Sequence, residues 1–209
     1  PRDTLLRYAR ALSNAGFRLN LHAAGARAVR LALDAIAAAN PESGPHRITR
    51  VSLVDPVDRP RFARLGAVAD FQIPRSALDP VEMAVTDAFI GDRIRDYLPL
   101  SQLNAQGAEI VLSSGWDRGP NYPIDRIAVV LERHQDLRLE EVLAMMISRP
   151  ARILGHSDRV GTSSVGKRAD LVVLDRDLFG LTPQEMAEAS VLATVFDGDA
   201  IYDPEGIFE

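Results

Sequence analysis

The chain has 209 residues, 46% hydrophobic and 25% charged, with 24 Lys and Arg against 29 Asp and Glu for a net charge of −5. A chain of this length buries roughly 70% of its unfolded surface, which argues against global disorder; no apolar run approaches the ~20 residues of a membrane span, and the acidic balance argues against a nucleic-acid partner. There is no cysteine, so disulfides, thiolate zinc sites, iron–sulfur clusters and cysteine nucleophiles are excluded. His22, His46, His134 and His156 bound any imidazole metal site. The chain starts at Pro1 with no basic and apolar leader; we read it as a fragment or processed product, which leaves localisation open.

Helical spacing of Leu5, Leu6, Ala9 and Leu12 predicts a helix over Pro1–Ala15, stopped by Gly16. The alternating run Phe17–His22 predicts a strand. Ala- and Leu-rich Gly25–Ala39 predicts a helix ended by Asn40-Pro41 and Ser43-Gly44-Pro45. A strand is expected over Arg47–Val54, a short helix over Pro56–Leu65 with Gly66 behind it, and a strand over Ala67–Ile73. Ser76–Gln106 reads as two or three short helices, Ala108–Ser113 as a buried strand and Ser114–Pro123 as loop. Helices follow at Ile124–Arg133 and Leu139–Ser148, with another turn or two at Pro150–Leu154. Beyond Gly155, turn material at Val160–Lys167 precedes strands at Leu171–Leu174, Val191–Phe196 and Ala200–Tyr202. A helix is expected near Thr182–Ala189, and Asp197-Gly198 signals a hairpin.

Alternating β and α elements argue an α/β fold with a parallel sheet and crossover helices. A complete (β/α)8 barrel takes about 250 residues, so four units fit half a barrel; the alternative is a small doubly wound sheet. No GxGxxG fingerprint or P-loop is present. Functional residues in such folds sit at the C-terminal ends of strands. Those ends are Asn20–Gly25, Ile48–Arg50, Phe71–Pro74 and Ser113–Trp116.

The run His22-Ala-Ala-Gly-Ala-Arg-Ala28 resembles the HAxGDxA segment of the amidohydrolase superfamily in its family-3 (YtcJ-like) branch. Arg47–Arg50 with Leu53–Pro56 resembles that branch's RIEH…lvdP segment, Ser113–Trp116 its GSDW segment, and Val160–Leu174 its iGSlepGKlADlvvL segment. The resemblance implies a metal-dependent hydrolase of non-peptide C–N bonds in small molecules, using a divalent metal, usually zinc. It also implies a (β/α)8 TIM-type barrel joined to a β-sandwich built from both chain ends. This chain matches the C-terminal half: about four barrel units over residues 1–155 and the β-rich tail of the sandwich over 156–209. The HxH pair of strand one and the bridging Lys or carboxylate of strand four fall in the N-terminal half, which is missing.

Carried over residue by residue, the resemblance puts His22 at a metal-histidine position as a vestigial ligand. It puts Arg50 where a second histidine is expected and Gly115 where the catalytic aspartate is expected; Ala26 replaces the Asp of the first segment. A guanidinium 4 Å from a divalent cation is repelled by about 8 kcal/mol at an effective dielectric of 20. Arg50 therefore reads foremost as a cation filling the space a metal left, with a substrate-carboxylate clamp as the alternative. Gln72 and Trp116 are further pocket candidates, with core packing the alternative for Trp116. Asp117 would face the same side of an extended chain about 7 Å further along, too far to replace residue 115 without a local rearrangement. His46, His134 and His156 read as surface residues.

Three functions remain open at this point. The chain is a fragment, inactive by itself and without its own cofactor; it is the pocket-forming half of an active full-length hydrolase with an altered or mononuclear site; or it is a regulatory or scaffolding pseudoenzyme. Half a barrel leaves open edges and an uncovered inner face, so a homodimer of the fragment is expected, with neither nucleic acid nor membrane as partner.

Overall fold

The structure is a computed structural model; it describes residues 2–73, 77, 79–115 and 122–208. The chain forms two compact units, Pro1–Asn121 and Tyr122–Glu209.

In the first unit, helix α1 (Arg2–Asn14) leads into strand β1 (Asn20–His22), then α2 (Ala26–Ala38), β2 (Arg47–Thr49), α3 (Arg59–Leu65) and β3 (Val68–Phe71). Helices α4 (Pro80–Ile90) and α5 (Leu100–Ala105) precede β4 (Glu109–Leu112). The strands form one parallel sheet in the order β1-β2-β3-β4, as the repeated strand–helix pattern leads one to expect. Its register sets Asn20, Arg47, Val68 and Glu109 in one row, Leu21, Ile48, Ala69 and Ile110 in the next, and His22, Thr49, Asp70 and Val111 in the third. Because side chains alternate along a strand, the first and third rows share one face and the second takes the other. The apolar row faces the helices: Leu21 packs on Ala9, Leu19 and Ala35, and Ile48, Ala69 and Ile110 are fully buried. Helix α2 answers with Val29, Ala32, Leu33 and Ile36, a spacing that keeps one helical stripe in the core.

Strand β2 is shorter than the expected Arg47–Val54. Arg50 has φ +62, a left-handed conformation that cannot continue a strand, and Leu53 instead makes an isolated antiparallel bridge to Tyr97. His46 is not a surface residue; it is buried just before β2. Its Nδ1 accepts the Leu19 N–H at 3.1 Å, so the ring proton sits on Nε2, 3.3 Å from the Asn40 carbonyl. The Pro-containing turn before it suggests exposure, yet it folds the ring inward onto backbone groups that need a partner.

The outer side of this unit carries an ion network. Asp58, its side chain 4% exposed, receives Arg30 at 2.7 Å and Arg61 at 2.9 Å; Arg61 and Arg2 both reach Asp34. Burial alone raises the Asp34 carboxyl, but the two guanidiniums outweigh it and hold it below the ordinary carboxylate range. The network ties α1, α2 and α3 together.

The second unit begins with helices α6 (Pro123–Arg133), α7 (Leu139–Met146) and α8 (Ser148–Leu154) and continues with β5 (Leu171–Leu174), α9 (Pro183–Ala187), β6 (Val191–Phe196) and β7 (Asp199–Tyr202). Strands β5-β6-β7 form an antiparallel sheet. Asp197 and Gly198 both have positive φ, the two-residue turn that their sequence signals. Helix α9 starts on a capping box: Thr182 accepts from the Glu185 N–H and its own N–H donates to Glu185 Oε2. His134 is 7% exposed rather than on the surface, because it closes α6 against Leu137 and its backbone accepts the Leu137 N–H. Burial, helped by neighbouring Arg133, pushes its imidazole down to about 4. His156 is exposed.

Candidate functional site at the strand ends

The polar face of the four-stranded sheet is built from short side chains that hold one another. Asp70, 2% exposed, accepts Thr49 Oγ1 at 2.9 Å on one oxygen and Ser113 Oγ at 2.7 Å on the other; Arg47 Nε lies 3.7 Å away. Arg47 also donates to Asn20 Oδ1 at 3.2 Å. The carboxylate thus links β2, β3 and the end of β4 through hydrogen bonds to a charged acceptor, the stronger class.

This network sets the polarity of Gln72. Thr49 has one hydroxyl proton, and Asp70 takes it. Toward Gln72 the hydroxyl can therefore only accept, and it does so from Nε2 at 3.2 Å. Oε1 must then face the other way, toward Gly115. A β-carbon on Gly115 would overlap Oε1 and Cδ of Gln72. Gly115 also has φ +63, so the backbone at the end of β4 suits glycine both in conformation and in the space the carboxamide fills.

The residues singled out in the sequence fall as follows. His22 ends β1 and is exposed, its side chain with no hydrogen bond or ion pair among the described residues. Arg50 follows β2, is exposed, and its guanidinium likewise has no partner among the described residues. Gln72 follows β3 and is half-buried; Gly115 follows β4. Ala26 opens α2. Trp116 and Asp117 lie outside the described residues. The structure thus brings Gln72 and Gly115 into contact and sets His22 and Arg50 on adjacent strand ends. Sequence reasoning missed Asp70, Thr49, Ser113 and Arg47. The available signal was an aspartate inside an otherwise apolar strand, Val-Ala-Asp-Phe, a charge that burial requires to be partnered.

These groups do not fit a metal centre by themselves. His22 offers one imidazole; Arg50 has no lone pair to give; Gly115 has no side chain; both oxygens of Asp70 are engaged. Among the described residues no three His, Asp or Glu come together. A catalytic zinc typically takes three protein ligands.

Comparison with known proteins agrees with the order of elements. A sequence model described as the Amidohydrolase family matches residues 1–202. N-substituted formamide deformylase of Arthrobacter pascens is 26% identical over 208 residues, covering 93% of this chain and 38% of that protein. A prolidase solved with N-methylphosphonate-L-proline superposes with TM-score 0.70 at 20% identity, over 97% of this chain and 49% of its own. An uncharacterised metal-dependent hydrolase from Pyrococcus horikoshii gives TM-score 0.70 at 21% identity, over 88% and 39%. The chain therefore spans between about a third and a half of the length of these relatives. The chain belongs to the amidohydrolase family, in its family-3 branch.

Proposed function

We propose that this chain is the C-terminal half of an amidohydrolase barrel, four βα units with the sandwich-forming tail, and that it supplies pocket walls rather than turnover. In this reading residues 1–155 are barrel units and 156–209 the sandwich share. The parallel sheet in chain order supports the barrel half. The polar residues Asn20, Arg47, Thr49 and Asp70 of the first and third rows, on the face away from the helices, suit the wall of a polar interior. The observation that carries the lack of turnover is the Gln72 carboxamide lying where a residue-115 side chain would stand. Hydrolysis of a C–N bond by metal needs ligands that fix the ion and a base that takes a proton from water. His22 is the one expected group retained, and it acts here as a polar wall residue. The reaction of the whole protein, on a small amide-like substrate in the manner of the deformylase, would then depend on ligands from the other half of the barrel.

Metal analysis of the dialysed chain, with an amidase assay on N-substituted formamides, tests this. The expected result is no stoichiometric zinc and no turnover, unchanged in the Arg50→His, Gly115→Asp double variant. One tightly held zinc per chain, lost on His22→Ala, overturns it. The open edges at β1 and β4 support self-association as well; sedimentation should show a dimer, and a monomer at high concentration would refute that part.

A further inference from the structure

We propose that the C-terminal edge of the parallel sheet binds a small oxyanion, a carboxylate or a phosphate group, with Arg50 as its cation. The first observation is strain. Arg50 is a non-glycine residue at φ +62, directly after a strand that register would otherwise carry on. Left-handed conformations of large residues persist where surrounding structure enforces them, and they gather at ligand sites. Past this kink the chain stays tied to the neighbouring strand, the Val51 N–H bonding the Asp70 carbonyl at 3.2 Å.

The second observation is charge. Arg30, Arg47, Arg59 and Arg61 in this unit each face an aspartate. Arg50 faces none among the described residues and is exposed. Among the described residues, the first three after each of β1, β2, β3 and β4 include no Asp or Glu. The carboxylate on this face, Asp70, is buried and held by two hydroxyls. Among the described residues these strand ends therefore present a guanidinium and the His22 imidazole, and the first three residues after each strand hold no carboxylate to compete. A planar five-donor fork at a strand end suits bidentate recognition of an oxyanion.

The inference rests on the proposed reading only in treating these strand ends as the functional edge, and it needs no turnover. The test is titration of the full chain, at low ionic strength, with acetate, inorganic phosphate and neutral acetamide, followed by amide chemical shifts. Saturable shifts of Arg50 and its neighbours with an anion, and none with acetamide, are expected. Acetate stronger than phosphate identifies a carboxylate ligand; the reverse identifies a phosphate. Arg50→Gln should weaken binding at least tenfold, and exposed Arg93→Gln should leave it unchanged. Arg50→Gly keeps the fold, since glycine adopts φ +62 freely, so its loss of binding cannot be unfolding. Wild-type affinity in both Arg50 variants, or no saturable shift with either anion, overturns the inference. Zinc binding or turnover would refute the proposed function and leave this one standing.

Discussion

Removing the Asp70 carboxylate should unlace the polar face of the sheet. In Asp70→Ala the Thr49 and Ser113 hydroxyls lose acceptors at 2.9 and 2.7 Å. Hydrogen bonds to a charged group contribute about 1.5–3 kcal/mol each, so the pair represents about 3–6 kcal/mol before compensation. Relief of the buried charge's own desolvation and water entering from the open face reduce this to about 3 kcal/mol. At a urea slope near 2 kcal/mol/M the midpoint for the first unit falls by about 1.5 M. Asp70→Asn keeps one carbonyl acceptor and should lose about half as much. Urea titration followed by circular dichroism reads both. A second readout is Gln72: once Thr49 is free to donate, the carboxamide loses its fixed sense, and its side-chain NH2 signals should broaden. A stability change below about 0.5 kcal/mol in Asp70→Ala would refute the reasoning, because it would mean that water satisfies these hydroxyls as well as the carboxylate does.

Arg50→Gly should stabilise the first unit by about 0.5–1 kcal/mol in urea, left-handed strain of about 1–2 kcal/mol being relieved against the entropy glycine adds to the unfolded chain. Gly115→Ala should destabilise by about 1–2 kcal/mol, since the new β-carbon overlaps Gln72 and sits at φ +63. His134 is held down to about 4 against an ordinary 6.5, so the unfolded state binds the extra proton between those values. Stability should therefore be full above about pH 6.5 and fall by up to about 3 kcal/mol as pH drops toward 4; His134→Leu should flatten that slope in pH-dependent denaturation. Asp34, held below the ordinary carboxylate range, contributes stability that is present above about pH 4 and lost as pH falls through its folded value; Asp34→Asn should remove this acid-limb dependence.

Strand order was legible because four apolar runs alternate with helical ones, and right-handed crossovers leave few arrangements. The Asp197-Gly198 turn was legible because both residues tolerate positive φ. What escaped was side-chain pairing. Nothing local in the sequence joins Asp70 to Ser113, which is 43 residues away, and the end of β2 depends on a backbone conformation that arginine does not favour. For His46 and His134 the local signals, a turn and a helix end, suggest exposure, yet both residues are buried. The shared motifs point to the family, while the departure at Gly115 acquires physical meaning only from the Gln72 carboxamide packed against it.

The two sheets also differ in how far along the chain their partners lie. Phe196 pairs with Asp199 and Thr194 with Tyr202, and a hairpin so local closes in about 1–10 μs. The parallel ladder joins Asn20 to Arg47 and Val68 to Glu109, so each added strand must first close a long loop and zip slowly. Synthesis runs in the opposite order. At about 5–20 residues per second, β4 leaves the ribosome roughly 2–8 s after β3. The slow sheet is made before the fast hairpin, so vectorial synthesis gives the distant pairings time that refolding from a finished chain denies them.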